Sequence, residues 1–72
     1  MNWFARQRQE WIAETLLIFG FINREHVQRK FGVSKPQASL DLRAFAQRSP
    51  EYMKYDPSRK CYIITHEWTR GS

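Results

Sequence analysis

Cysteine is all but missing from this sequence of 72 residues. Cys61 stands alone, so no intramolecular disulfide can form and a stapled, exported scaffold is excluded. Histidine is nearly as scarce. His26 and His66 lie far apart with no second thiol, and no four-ligand zinc set can be written. The three glycines, Gly20, Gly32 and Gly71, are isolated, which rules out a glycine-rich loop that cradles phosphate. With only three prolines beside them, no stretch has the composition of a disordered linker or low-complexity tract. No internal repeat is present. The longest apolar run, Ile12 to Ile22, is broken by Glu14 and Thr15 and is too short to span a bilayer. The opening residues, Met1 to Arg6, lack the charged n-region and long apolar stretch of a signal peptide. A cytoplasmic, nucleoid-associated protein without membrane contact is expected. Glu10 and Glu14 share a helix face with Arg6 and Arg8 nearby and read as solvated charge. Nothing assembles a nucleophile, a base and an oxyanion site. No enzyme activity, cofactor, metal or small-molecule ligand is expected of this chain.

Acidic residues are also in short supply. Lys and Arg number 12 against 7 Asp and Glu, a formal charge of +5 on a very small body. That excess bears on partners rather than on fold, and points to a polyanion no more strongly than to a generic soluble surface. The length suits one domain over residues 1–72, which buries only about 60% of the surface its unfolded chain exposes. Three Trp, three Tyr and five Phe supply the large apolar groups such a core requires.

Caps, breakers and periodicity divide the chain. Asn2 is placed to cap a helix from about Trp3 to Phe19, with Phe4, Trp11, Ile12, Thr15, Leu16 and Phe19 recurring at helical spacing as its buried face. Arg6, Arg8, Glu10 and Glu14 fill the outer faces. Trp11 belongs to the core, and Trp3 to either the core or a dimer surface. Gly20 stops the helix. Phe21-Ile22 reads as a brief strand. Asn23 caps a second helix, Arg24 to Phe31, with Ile22 and Val27 spaced as a hydrophobic staple, and Gly32 ends it. Ser34 caps a third helix, and Gln37 three residues on completes a capping-box pattern. Pro36 falls in the first turn, where its missing N–H removes no helical hydrogen bond. This helix covers about 34–48 and is closed by Ser49-Pro50. So short a join between the second and third helices forces them to cross steeply, as in a helix-turn-helix. Tyr52 to Tyr55 and Cys61 to Thr65 are rich in aromatic and β-branched residues, and Asp56-Pro57-Ser58-Arg59 between them is turn chemistry. They form a two-stranded wing over about 52–65, which must pack on the helices with Phe21-Ile22 as a third strand. Residues 66–72 form a tail, in which Trp68 is placed to dock. The order helix, short strand, helix, helix, hairpin is an α+β winged helix-turn-helix.

The stretch Val33-Ser34-Lys35-Pro36-Gln37-Ala38-Ser39-Leu40-Asp41-Leu42-Arg43-Ala44-Phe45 resembles the recognition helix of DeoR-type winged-helix regulators. Gly20-Phe21-Ile22-Asn23-Arg24, then Pro36 to Leu42, then Tyr55-Asp56 with Tyr62 six residues later, more closely resemble the N-terminal domain of WYL-domain transcriptional regulators. Within these the likeness is to the BrxR/CapW group of bacterial phage-defence islands, and it covers roughly Trp3 to Ile64. It implies a sequence-specific, double-stranded-DNA-binding regulator, a repressor acting as a homodimer on an inverted repeat. WYL regulators continue into ligand-sensing and dimerising domains, so ligand sensing does not carry over to this chain.

Along the third helix at 100° per residue, Ala38, Leu42 and Phe45 share one face and form core. The opposite face carries Pro36, Gln37, Leu40, Arg43, Ala44 and Gln47, with Ser39 and Lys35 at its flanks. Leu40 is costly to expose without a reason and suits a thymine methyl group. Gln37 and Arg43 are side-chain types that read adenine and guanine edges. Ser34 and Lys35 lie at a helix N-terminus, which favours phosphate. Lys54, Arg59 and Lys60 on the wing suit phosphate or minor-groove contact. Arg24 and Arg29 are weaker candidates for a backbone clamp. Asp41 is expected to orient the helix through a basic neighbour, with Arg24 the candidate. The alternative to DNA is a winged-helix protein–protein adaptor that docks through the third helix. Between Val33 and Lys60, six basic residues face three acidic ones, an excess that an adaptor does not need.

Overall fold

The computed structural model describes residues 2–65. Three helices, α1 (Trp3–Phe19), α2 (Arg24–Phe31) and α3 (Lys35–Arg48), and three strands, β1 (Phe21–Ile22), β2 (Met53–Asp56) and β3 (Cys61–Ile64), follow in the order α1-β1-α2-α3-β2-β3. The expected winged helix-turn-helix is thus the observed fold. The tail, with Trp68 and His66, lies outside the described residues.

Local chemistry accounts for the helix ends. The Asn2 side chain accepts from the Ala5 N–H at 2.8 Å, which satisfies one of the unpaired donors of the first turn. Gly20 closes α1 in the left-handed region at φ 85°, where its N–H donates to the Leu16 carbonyl. At α2, Asn23 accepts from the His26 N–H while His26 Nδ1 accepts from the Asn23 N–H, both at 3.2 Å. This reciprocal pair occurs where the sequence pattern did not place one. At α3 only half of the expected box forms. Ser34 Oγ accepts from the Gln37 N–H at 3.2 Å, but the Gln37 amide turns away to Asp41. A carboxylate acceptor outcompetes the return bond to the cap.

The core gathers Ile12 and Leu16 of α1, Ile22 of β1, Val27 of α2, Ala38, Leu42 and Phe45 of α3, and Met53 of β2. Each large aliphatic side chain taken fully out of water contributes about 2 kcal/mol. Trp11 packs at the edge of this cluster and meets Phe31 edge-to-face, with ring centroids 5.6 Å apart. Phe4 and Phe19, expected in the core, are instead 67% and 68% exposed, and Trp3 is 64% exposed. Apolar residues occupy nearly the whole circumference of α1, so periodicity could not single out its buried face.

β3 is the central strand of the sheet, antiparallel to β1 on one side and β2 on the other. The Phe21↔Ile63 and Ile22↔Tyr62 pairs draw the end of α1 against the hairpin, and the Ile64 N–H donates to the Gly20 carbonyl at 2.9 Å. Tyr55 and Tyr62 face each other across the hairpin at 5.1 Å. The Thr65 hydroxyl donates to the Glu51 carbonyl at the open end.

Between α1 and α3 lies a polar joint. Asp41 is buried, and its carboxylate accepts from Arg8 Nε at 2.6 Å and from Gln37 Nε2 at 3.0 Å. Gln9 Nε2 donates to the Asp41 carbonyl at 2.8 Å. The partner of Asp41 is therefore Arg8, not Arg24, and Arg8 is not an outward-facing charge. Its side chain is only 15% exposed. Removing one member of such a pair leaves the other charge buried and unpaired. Arg8→Ala should destabilise the fold by about 3 kcal/mol, whereas Arg6→Ala on the exposed face should change stability by less than about 0.5 kcal/mol. Urea denaturation of the two variants checks this, and equal effects would contradict it.

Candidate nucleic-acid interface

α3 packs its Ala38, Leu42 and Phe45 stripe on the core, which leaves the opposite side uncovered. Ser34, Lys35, Pro36, Leu40, Arg43 and Gln47 are exposed, and Gln37 and Ser39 are half-buried at the two flanks. Leu40 is 54% exposed, with no apolar neighbour claiming it for the core. On the hairpin, Lys54, Arg59 and Lys60 are exposed as well. None of the sequence-expected contact positions is packed inside the fold.

The structure divides these positions into two neighbourhoods. On the hairpin side of α3, a cleft of about 440 Å³ opens between the start of α2, α3 and the wing. Arg24, Arg43 and Lys60 converge on it from three separate elements, with Ser39 and Tyr55 beside them and Glu25 as the lining carboxylate. None of the three cations forms an ion pair among the described residues. Arg24 is the first residue of α2. There a positive charge meets the positive end of the helix dipole, an arrangement that costs stability unless an anion is near. On the α1 side of α3 lie Gln37, Asp41 and Arg8, joined as described above.

Two expectations change with this geometry. Arg24 and Arg29, grouped as a clamp, point to different regions. Arg24 lines the basic cleft, and Arg29 lines an apolar groove with Trp11, Phe19 and Phe21 on the far side of α2. Arg59, Lys54 and Gln47 do not line the cleft. Arg59 stands at the wing tip, within 3.7 Å of the Asp56 carboxylate and largely in solvent, so that pair is weak.

The wing turn carries one conformational cost. The Asp56 carboxylate accepts from the Ser58 and Arg59 N–H groups at 2.9 and 3.3 Å, which folds the turn tightly. The chain then leaves it through Lys60 at φ 56°, the one non-glycine residue with positive φ among the described residues. Glycine would occupy this conformation without strain. A lysine there places a cation at the rim of the cleft at the expense of backbone comfort. The composition of the turn carried no signal of this.

Three comparisons bear on the arrangement. The family described as the BrxR transcriptional regulator winged helix-turn-helix domain matches residues 5–70. The chain is similar to the DNA-binding transcriptional repressor CapW of Escherichia coli, 40% identical over 64 residues, which is 89% of this chain and 21% of that protein. It is also similar to the CapW repressors of Pseudomonas aeruginosa, 35% identical over 93% of this chain and 22% of that protein, and of Stenotrophomonas maltophilia, 32% identical over 94% and 23%. The chain thus spans about a fifth of the length of the curated relatives it matches.

Lys60→Gly should relieve the left-handed strain and stabilise the domain by about 0.5–1 kcal/mol, read as a higher urea midpoint. A lower midpoint would show that the Lys60 side chain contributes more to the fold than its backbone costs.

Proposed function

The chain belongs to the BrxR winged helix-turn-helix domain family, and from that membership we propose that it binds double-stranded DNA as the DNA-reading part of a transcriptional repressor. The observation that carries this reading is the convergence of Arg24, Arg43 and Lys60, from α2, α3 and the wing, beside an uncovered α3 face. Like charges drawn to one cleft without a countercharge suit a polyanion that tracks along it. The exposed ridge of Pro36, Leu40, Arg43 and Gln47 has the width of one helix face, and a helix fits the major groove.

In this reading α3 is the recognition helix. Arg43, where the ridge meets the cleft, reads a guanine edge. Leu40 meets a thymine methyl group, and Gln37 and Gln47 address base edges. Ser34 and Lys35 hold phosphate at the helix N-terminus. Lys54, Arg59 and Lys60 hold the backbone from the wing, and Arg24 joins them across the cleft. One recognition helix spans only a few base pairs, so sequence-specific repression requires two half-sites related by an inverted repeat and a homodimer to occupy them. The exposed Phe4 and Ile18 lie on one stripe of α1 and supply an apolar surface for that pairing.

Selection from a random duplex library tests the reading, with half-site centres expected about one helical turn, or a multiple of it, apart. On the selected duplex, Arg43→Ala should weaken binding by about 1–3 kcal/mol and relax preference at one base pair. Arg24→Ala should weaken selected and random duplexes alike and lower the slope of log K against log salt by about 1. Fluorescence anisotropy across a salt series measures both, and identical behaviour of the two variants would refute the division of roles. Phe4→Ser with Ile18→Ser should abolish cooperative occupation of two half-sites while leaving single half-site affinity within about twofold, since surface substitutions of this kind leave the fold intact.

A further inference from the structure

Asp41 is an anion on the helix that approaches DNA, where phosphate repulsion acts against it. An apolar residue would join α1 to α3 at least as well as a buried ion pair does. Its bonds suggest what it does instead. One carboxylate oxygen accepts from Arg8 Nε at 2.6 Å and the other from Gln37 Nε2 at 3.0 Å, while its main-chain carbonyl accepts from Gln9 Nε2 at 2.8 Å. The carboxylate can neither rotate nor move away without breaking a bond to α1.

The consequence falls on Gln37. A side-chain amide carries a donor end and an acceptor end, and a free glutamine turns either one toward its ligand. A carboxylate paired with Arg8 offers only acceptors, so only the nitrogen of Gln37 can face Asp41. The carbonyl oxygen must then face away, and it has no partner among the described residues. Gln37 is the third residue of α3, half-exposed at the flank of the outward ridge. Residues at the start of a recognition helix are those that reach base edges.

We infer that Asp41 is a specificity-positioning residue. By holding the nitrogen of Gln37, it makes the carbonyl oxygen the group presented to the major groove. The protein thereby selects, at one position of its site, a base that carries an exocyclic amine. Adenine offers its N6 amine there and cytosine its N4 amine, whereas guanine O6 and thymine O4 are acceptors that repel the presented oxygen. The inference rests on the DNA-binding reading above and adds a rule for one base pair.

The test uses the whole chain and the duplex selected from the library. At one position, wild type should prefer adenine or cytosine over guanine or thymine by roughly tenfold. Replacing the selected base by its analogue without the exocyclic amine, purine for adenine or 2-pyrimidinone for cytosine, should cost wild type a similar factor. Gln37→Met should be indifferent to that replacement. In Asp41→Asn the side chain can accept from Gln37 or donate to it, so both amide orientations become available. This variant should lose the preference at that one position while keeping its preferences elsewhere. In the absence of DNA, a Gln37 side-chain amide proton should exchange with solvent more slowly in wild type than in Asp41→Asn, which reads the lock directly by NMR. If Asp41→Asn is poorly folded, the analogue series on wild type and Gln37→Met decides the matter alone. Duplex binding without an amine preference tied to Gln37 overturns the inference and leaves DNA binding standing. No duplex binding by wild type overturns both.

Discussion

The joint between Asp41 and Arg8 sets the attitude of α3, and the uncovered face follows from that attitude. The apolar stripe of α3 would hold the helix on the core over a range of rotations about its axis, because dispersion and burial are not directional. Hydrogen bonds are directional. Arg8 and Gln9 grip the Asp41 carboxylate and carbonyl from one side, so α3 can roll neither toward α1 nor toward the wing. Leu40 and Arg43 are thereby kept outward and Leu42 inward. Two consecutive residues of α1 thus index the helix that carries the candidate interface.

A second constraint acts at the opposite flank. The cleft exists because α2 begins at Asn23 immediately after β1, and β1 is pinned by β3. Pairing of Ile22 with Tyr62 carries the start of α2 to the base of the wing, which is why Arg24 and Lys60 share one rim although 36 positions separate them in the chain. The staple positions Ile22 and Val27 are both wholly buried, so the angle at which α2 leaves the sheet is set by packing on both sides of the Asn23 cap.

What could be read from the sequence was what is local. Asn2, Gly20, Asn23, Gly32 and Ser34 act within four residues of themselves, and each marked a helix end that the structure reproduces. The heptad-like stripe of α3 was legible because polar residues flank it. The stripe of α1 was not, because Trp3, Phe4, Leu17 and Ile18 extend the apolar surface beyond the side that Ile12 and Leu16 bury. The partners of Asp41 lie 32 and 33 residues away, and no periodicity links Arg8 to a carboxylate on another helix. Arg6 and Arg8 look equivalent in sequence. Only the rotation of α1 separates a solvated guanidinium from a buried one. The cleft escaped notice for the same reason, since its three cations come from three elements whose juxtaposition depends on strand pairing.

Strand order has a consequence for how the chain matures. β1 and β2 have no pairing with each other and meet only through β3, which runs from Cys61 to Ile64. During synthesis the earlier two strands therefore wait as unpaired edges until the last one leaves the ribosome, while the three helices between and before them are already complete. The helical part can collapse early on local contacts, but the cleft is assembled only in the final step of folding. A nascent chain arrested before Cys61 would hold all of α3 and none of the wall that faces it.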